Sequence, residues 1–366
     1  MKRKKLRKYQ NLDFVYSLIK EPEEVINVFD LVYVDASALV IKRKAGKKGF
    51  VYLSANKPIS DKKEIDRIEL LAIPPIWKKV KIAKTSQGHL QAVGRDDKQR
   101  KQYIYHELWK RIRNQTKFFK MASFGKQLPK IREKINADIN QEGWPITKTI
   151  ALVINLMEET HIRIGNNQYA KKNKTYGLST LRKKHIYHQK DSITFHFIGK
   201  KGKEHNIELN DDKLIKLVNQ CEEIPGWELF KYYDENNEKQ TLESGMINDY
   251  LHNITEDIYT AKDFRTWAAT VIFFESLYDL GLPKKKKKRK KRILKALDKT
   301  SEALGNTRNI CRKYYVHPAL INKFLTGTIQ EDFDTYKNLE EKNHLSASEQ
   351  AVLQLIENYV PSFLTT

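Results

Sequence analysis

The chain has 366 residues, room for about two domains with cores of their own if each takes on the order of 150 residues. Hydrophobic residues make up an ordinary 40%, but the formal net charge of +23 and the pI near 9.6 are not ordinary. Such an excess points to a polyanion, nucleic acid before an anionic membrane surface, and the absence of any run of about 18 apolar residues excludes a predicted transmembrane helix.

Met-Lys-Arg-Lys-Lys-Leu-Arg-Lys opens the chain as a basic tail with no apolar region behind it, so no secretory signal is expected. Only Cys221 and Cys311 are present, without a CxxC pair or zinc-like Cys/His spacing. That fits a reduced compartment and no structural metal, and by elimination a cytoplasmic protein.

From Leu31 the pattern turns β-like, through Val32-Tyr-Val and Leu39-Val-Ile, then Gly49-Phe-Val-Tyr-Leu after a basic turn. Ile65, Ile68 and Leu71 predict a short helix that stops before Pro74-Pro75, since a residue preceding proline resists the α region. Residues 79–83 and 89–93 read as strands, leading through a polar turn into Gln102-Tyr-Ile-Tyr. Tyr103 and Tyr105 are two apart, so on a strand both project from one face. With Arg95, Lys101 and Gln102 they form either a platform for a nucleic-acid groove or an ordinary half-buried pair. Residues 1–105 are thus predicted as a small β-rich domain.

Helical patterns take over from His106, over 107–140 with a break near Pro129, and over 147–160, where Ile150, Val153, Ile154 and Met157 line one stripe. Arg163 follows in a Gly-Asn break. An alternating strand at 192–198 turns at Gly199-Lys-Lys-Gly and returns at 205–209, which puts Lys200 at a hairpin tip. Helices are predicted at 212–221, 244–254 and 261–280; on the last, Phe264, Ala268, Val271 and Phe274 should face inward, and Lys262 and Arg265 share a face. Nine consecutive cations at 284–292, starting Lys284-Lys285-Lys286, are a solvated connector or helix start that settles on phosphates. Two more helices follow, one ending near Gly305 and one carrying Tyr314 and Tyr315, and a last near 349–359. Residues 106–366 form a mainly helical second domain, making the fold class α+β.

The candidate chemistry lies in Leu304-Gly-Asn-Thr-Arg-Asn-Ile-Cys-Arg-Lys-Tyr-Tyr-Val-His-Pro. A phenol with a pKa near 10 is ionised about once in a thousand at neutral pH, so a tyrosine nucleophile needs positive charge around it. Arg163, Lys200, Lys262 and Arg265 are the candidate cations, and a phosphodiester is the electrophile they would suit. Taken alone, the stretch also reads as a buried tyrosine pair on an amphipathic helix.

The order Arg163, Gly199-Lys200, Lys262-x-x-Arg265-Thr, then Tyr315 in Tyr-Val-His-Pro resembles the small type IB DNA topoisomerases of bacteria and poxviruses, over about residues 31–317. The resemblance implies an amino-terminal β domain that meets DNA through Gln102, Tyr103 and Tyr105, and a larger helical catalytic domain with a β-hairpin. It also implies relaxation of supercoiled duplex DNA through a 3′-phosphotyrosyl intermediate, without metal, ATP or other cofactor, by a monomer acting as a clamp. Tyr315 would attack, Arg163 and Arg265 would hold the phosphate oxygens, and Lys200 assisted by Lys262 would protonate the leaving 5′-oxygen. Asn306 stands where many relatives have histidine; it can donate a hydrogen bond but cannot carry a proton away. Tyr314 stands where serine is commoner. The alternatives are a tyrosine site-specific recombinase, which more often shows His-x-x-Arg, and a non-enzymatic basic DNA-packaging protein.

Overall fold

The computed structural model describes residues 12–47 and 49–364; the basic tail at 1–8 lies outside them. The chain divides into two compact units, Met1–Phe119 with Val360–Thr366, and Lys120–Tyr359. The division falls inside the helix Glu107–Asp138, beyond the expected boundary at 105, and hands the last few residues to the first unit.

The first unit carries a six-stranded antiparallel sheet: β1 (Ile41–Gly46), β2 (Gly49–Ser54), β3 (Lys57–Pro58), β4 (Lys78–Ile82), β5 (Leu90–Arg95) and β6 (Lys101–Tyr105), in the order β3-β2-β1-β4-β5-β6. Pro58, which has no N–H to give a ladder, sits on the edge strand. One sheet face packs Ile41, Val80, Ile82 and Ala92 onto the helix Lys62–Leu70 through Ile68. A strand expected at 32–34 is reduced to one bridge, Val32 to Gly88, because the Val34 N–H is taken by the ring Nδ1 of His89 at 3.0 Å. The next begins only at Ile41, after Asp35 has capped a short turn over Ala36–Ala38. Two helices that the sequence pattern did not reveal, Leu12–Lys20 and Pro22–Val25, precede the sheet. Phe14, Val15 and Leu18 bury one face of the former against Trp109, Ile112 and Phe363.

In the second unit the expected break at Pro129 does not occur: Glu107–Asp138 is one helix. An interior proline costs about 3 kcal/mol or more. Phe124, Leu128 and Ile131 are fully buried around it, each contributing about 1.5–3 kcal/mol, so packing outweighs the lost hydrogen bond. Arg132 on the same helix bonds Glu158 at 2.7 Å and Glu349 at 2.8 Å, and Glu349 accepts from the Trp267 indole at 2.8 Å. This half-buried network ties the helices Ile146–Thr160, Ala261–Leu280 and Ala347–Ile356 to the long one.

Ala261–Leu280 keeps its expected bounds but not its whole expected inner face. Phe264 and Phe274 are buried, whereas Ala268 and Val271 are half-buried, because the inward stripe runs instead through Arg265, Ala269, Phe273 and Leu277. The excursion at 186–209 is a three-stranded sheet of β7 (Ile186–His188), β8 (Ile193–Ile198) and β9 (Glu204–Leu209). The run at 284–292 starts a helix, Lys286–Ala303. Among the described residues no helix is long and apolar enough to cross a membrane.

Candidate active site

Helix Lys286–Ala303 ends in a Schellman motif: Gly305 N–H bonds the Glu302 carbonyl at 3.0 Å and Asn306 N–H bonds that of Ser301 at 2.8 Å. Gly305 sits at φ +59°, a left-handed conformation that glycine adopts without a Cβ penalty. This turn presents the Leu304 carbonyl and the Asn306 amide side by side. A bidentate bridge from Arg308 to Asp298, at 2.5 and 2.7 Å, fastens the next helix, Arg308–Tyr314, to the one before.

Tyr315 is the first residue past that helix, not on it as expected, with φ −126° and ψ −41°. Tyr314 on the last turn is 41% exposed, while Tyr315 is half-buried and turned inward. Thr270, fully buried, fixes the backbone there: its hydroxyl bonds the Tyr315 carbonyl at 3.2 Å and accepts from the His317 N–H at 3.1 Å. His317 then caps the helix Pro318–Thr326.

Arg265 lies 5.8 Å from the centre of the Tyr315 ring. Its guanidinium donates to the carbonyls of His161 and, at 2.9 Å, of Leu304. His161 can offer that carbonyl because it ends Ile146–Thr160 in the left-handed conformation, at φ 54°. Two residues on, Arg163 donates to Asn306 Oδ1 at 2.5 Å. Each of these arrangements leaves a donor over. Arg265 Nε and Asn306 Nδ2 are buried and make no well-formed hydrogen bond among the described residues; the groups these side chains lean on instead are the Tyr315 hydroxyl and the Cys311 thiol. Buried donors are normally well satisfied, and a phenol and a thiol are weaker acceptors than an anionic phosphate oxygen, so both donors are placed to turn to one that arrives from outside.

Electrostatics run the same way. Burial pushes the Tyr315 phenol up, but Arg265, Arg163 and Lys262 together hold it below its ordinary value. Lys200, exposed at the tip between β8 and β9, is lowered by partial desolvation and then by Arg163 and Lys262, with Tyr315 opposing. Burial and Arg163 bring Arg265 down to about 10, still cationic at neutral pH. Burial and Arg265 hold the His161 ring at about 4, so it adds no charge. Lys262 is exposed while Arg265, three residues on, is buried; both act on the same phenol. The six residues Arg163, Lys200, Lys262, Arg265, Asn306 and Tyr315 are therefore brought together within the second unit.

The expected DNA-binding residues are spread more widely. In the first unit Tyr103 and Tyr105 stack at 5.9 Å and 14°, with the Lys101 ammonium 5.2 Å from the Tyr103 ring. Tyr105 continues through His89 to Tyr33, a half-exposed ring that no sequence motif singled out. Gln102 gives its amide to Asp96 at 2.9 Å and Arg95 bonds the Gln99 carbonyl at 2.7 Å, so both are held in the turn between β5 and β6. In the second unit Lys284, Lys285 and Lys286 are exposed and make no ion pair among the described residues. Arg289 in the same run is an anchor, bonding the carbonyls of Pro283 at 2.7 Å and Leu325 at 3.2 Å.

A half-buried phenol held below its ordinary pKa by two arginines and a lysine is an arrangement whose chemistry suits attack on a phosphodiester. The profile of the eukaryotic DNA topoisomerase I catalytic core matches residues 106–343, and that of the bacterial DNA topoisomerase IB N-terminal domain matches 49–96. This chain belongs to the type IB DNA topoisomerase family. It is 32% identical over 284 residues to a DNA topoisomerase 1B of Acanthamoeba polyphaga mimivirus, covering 76% of this chain and 84% of that one. A DNA topoisomerase 1B of Vaccinia virus (strain Copenhagen) is 24% identical over 261 residues, 68% of this chain and 78% of the other. Among solved structures, a XerH site-specific recombinase in a post-cleavage complex aligns over 73% of this chain and 64% of that one, at 15% identity and a TM-score of 0.35, too loosely to bear on the site.

Proposed function

We propose that Tyr315 is the nucleophile with which this type IB topoisomerase relaxes supercoiled duplex DNA, by transient cleavage and resealing of one strand. The phenol, acidified by its cations, gives its proton to solvent, its oxygen attacks phosphorus to form a 3′-phosphotyrosyl bond, the bond to the 5′-oxygen breaks, and that oxygen takes up a proton. Arg163 and Arg265 hold the non-bridging oxygens, a role suited to the planar guanidinium. Asn306 adds its amide N–H. Lys200, with its pKa lowered, gives the proton to the leaving oxygen, and Lys262 supports the charge. Energy of the broken ester is kept in the phosphotyrosine, so the released hydroxyl reverses the attack without ATP, and the cations do what a metal would otherwise do.

The observation that carries this reading is the convergence on one half-buried phenol: Arg265 lies 5.8 Å from the Tyr315 ring, Arg163 bonds Asn306 beside it, and the two arginines hold the phenol below its ordinary pKa. Both units supply groups for the duplex: the Tyr103 and Tyr105 face with Lys101, Arg95 and Gln102 in one, and the lysines from Lys284 on in the other. A monomer gripping phosphates from two sides, at work in the cytoplasm, completes the proposal. The test is supercoiled plasmid incubated in EDTA without nucleotide. Wild type and Tyr314→Phe should relax it and Tyr315→Phe should not, while still binding DNA. Relaxation by Tyr315→Phe would mean another nucleophile, and failure of the wild type to relax the plasmid would leave the packaging role.

A further inference from the structure

His205, on β9, takes no part in the chemistry proposed above, yet its ring is confined on three sides within the site. It pairs with Phe197 across the hairpin, and the two rings stack at 5.0 Å and 13°. A Cβ added to Gly199 would lie 2.6 Å from the ring Cδ2 and 2.7 Å from Nε2. A Cβ added to Gly305 would lie 2.8 Å from its Cε1. Real Cβ atoms are not found so close, so the imidazole fills the space of two missing side chains.

The two glycines belong to different parts of the site. Gly199 immediately precedes Lys200 at the hairpin tip. Gly305 lies between Leu304, whose carbonyl holds Arg265, and Asn306, whose amide holds Arg163. One ring therefore touches the backbone next to the proposed general acid and the backbone joint between the two arginine supports. Its charge state suits the place: burial, Arg163, Lys203 and Arg265 keep the imidazole down to about 4, so it is neutral at working pH and does not repel the cations around it.

We propose that His205 is a positioning residue, a clasp that seats the Lys200 hairpin on the Leu304–Asn306 turn so that the acid and the arginine pair are assembled together. The proposal rests on the reading of Lys200 as the acid. A loosened hairpin moves the Lys200 ammonium away from the leaving oxygen while Tyr315, whose carbonyl is held by Thr270 on a different element, stays aimed.

Single-turnover cleavage of a duplex with oxygen or sulfur at the 5′-bridging position separates the possibilities. A thiolate leaves without needing a proton, its conjugate thiol having a pKa of about 8.5. With oxygen, His205→Ala should cleave about 10- to 100-fold slower than wild type, and sulfur should bring it back to within about threefold, the pattern of a misplaced proton donor. Gly199→Ala, which pushes the ring away from the other side, should show the same sulfur rescue. His205→Phe, which keeps the stacked filler without nitrogens, should retain most of the rate.

Equal slowing on both substrates, with a lowered melting temperature, would mean general damage and overturn the clasp, as would a wild-type rate for His205→Ala. Lys200→Ala is the control. Sulfur rescue of Lys200→Ala but not of His205→Ala overturns the clasp alone, and no rescue of Lys200→Ala overturns the acid assignment and the clasp with it.

Discussion

Two sets of cations in the second unit have the same charge and different surroundings. Arg163 and Arg265 are half-buried and buried, each held in place by the protein, and both press on the Tyr315 phenol. The lysines of the run at 284–292 are exposed or nearly so, and make no ion pair among the described residues. The first arrangement fixes geometry at the expense of desolvating charge, as transition-state stabilisation in a water-poor site requires. The second fixes nothing, and needs only the sum of its charges to draw a polyanion and release counterions. Within that run Arg289 departs from the lysines, because its fork of donors closes the carbonyl end of Pro318–Thr326.

The largest effect expected is complete loss of relaxation in Tyr315→Phe with DNA binding kept, measured as plasmid relaxation beside gel shift. Arg265→Ala comes next: cleavage should fall by about 100- to 1000-fold, the cost of one oxyanion-type interaction, with little change in affinity. The same variant should alter the pH profile. Arg265 is the strongest charge lowering the Tyr315 phenol, so the acid limb of the cleavage rate lies below that of an ordinary phenol and should move up when Arg265 is removed. Lys200 donates only while protonated. Its lowered pKa brings the alkaline limb down, and that limb should vanish with a sulfur leaving group.

Replacing the seven lysines between 284 and 291 by glutamine addresses the other half of the comparison. Affinity should drop and the slope of log K against log salt should flatten by up to about 6, at about 0.9 for each phosphate no longer neutralised. Cleavage at saturating protein should change far less than affinity. If instead chemistry fell as far as binding did, the lysine helix would be serving the site through its Schellman end and the contrast would fail. Smallest of all, Tyr314→Phe should leave relaxation unchanged, since that ring faces solvent from the last helical turn.

Much of the frame was legible because it depends on local pattern. Alternation marked β4, β5, β6, β8 and β9, and the 3.6-residue stripe marked Ile146–Thr160 and Ala261–Leu280. Two of the exceptions have tertiary causes. A proline suggests a break in Glu107–Asp138, but buried packing overrides it, and Val32–Val34 has the pattern of a strand, but His89 captures the amide. The helix Leu12–Lys20 is hidden by the basic residues before it, although Phe14, Val15 and Leu18 already spell one apolar face.

By itself the sequence determined the chemical inventory: a tyrosine, two arginines, two lysines and an amide, in an order that resembles one family, on a chain too basic to lack a polyanion partner. It could not say that Tyr315 lies past the end of its helix, that Asn306 turns its oxygen to Arg163 and its N–H elsewhere, or that His205 sits between two glycines far apart in the chain, Gly199 and Gly305. Those facts depend on which carbonyls and ring edges meet when distant segments pack. Composition and spacing set a group's charge and local conformation, but its unfilled hydrogen bonds and its shifted pKa come from neighbours that only the folded chain supplies.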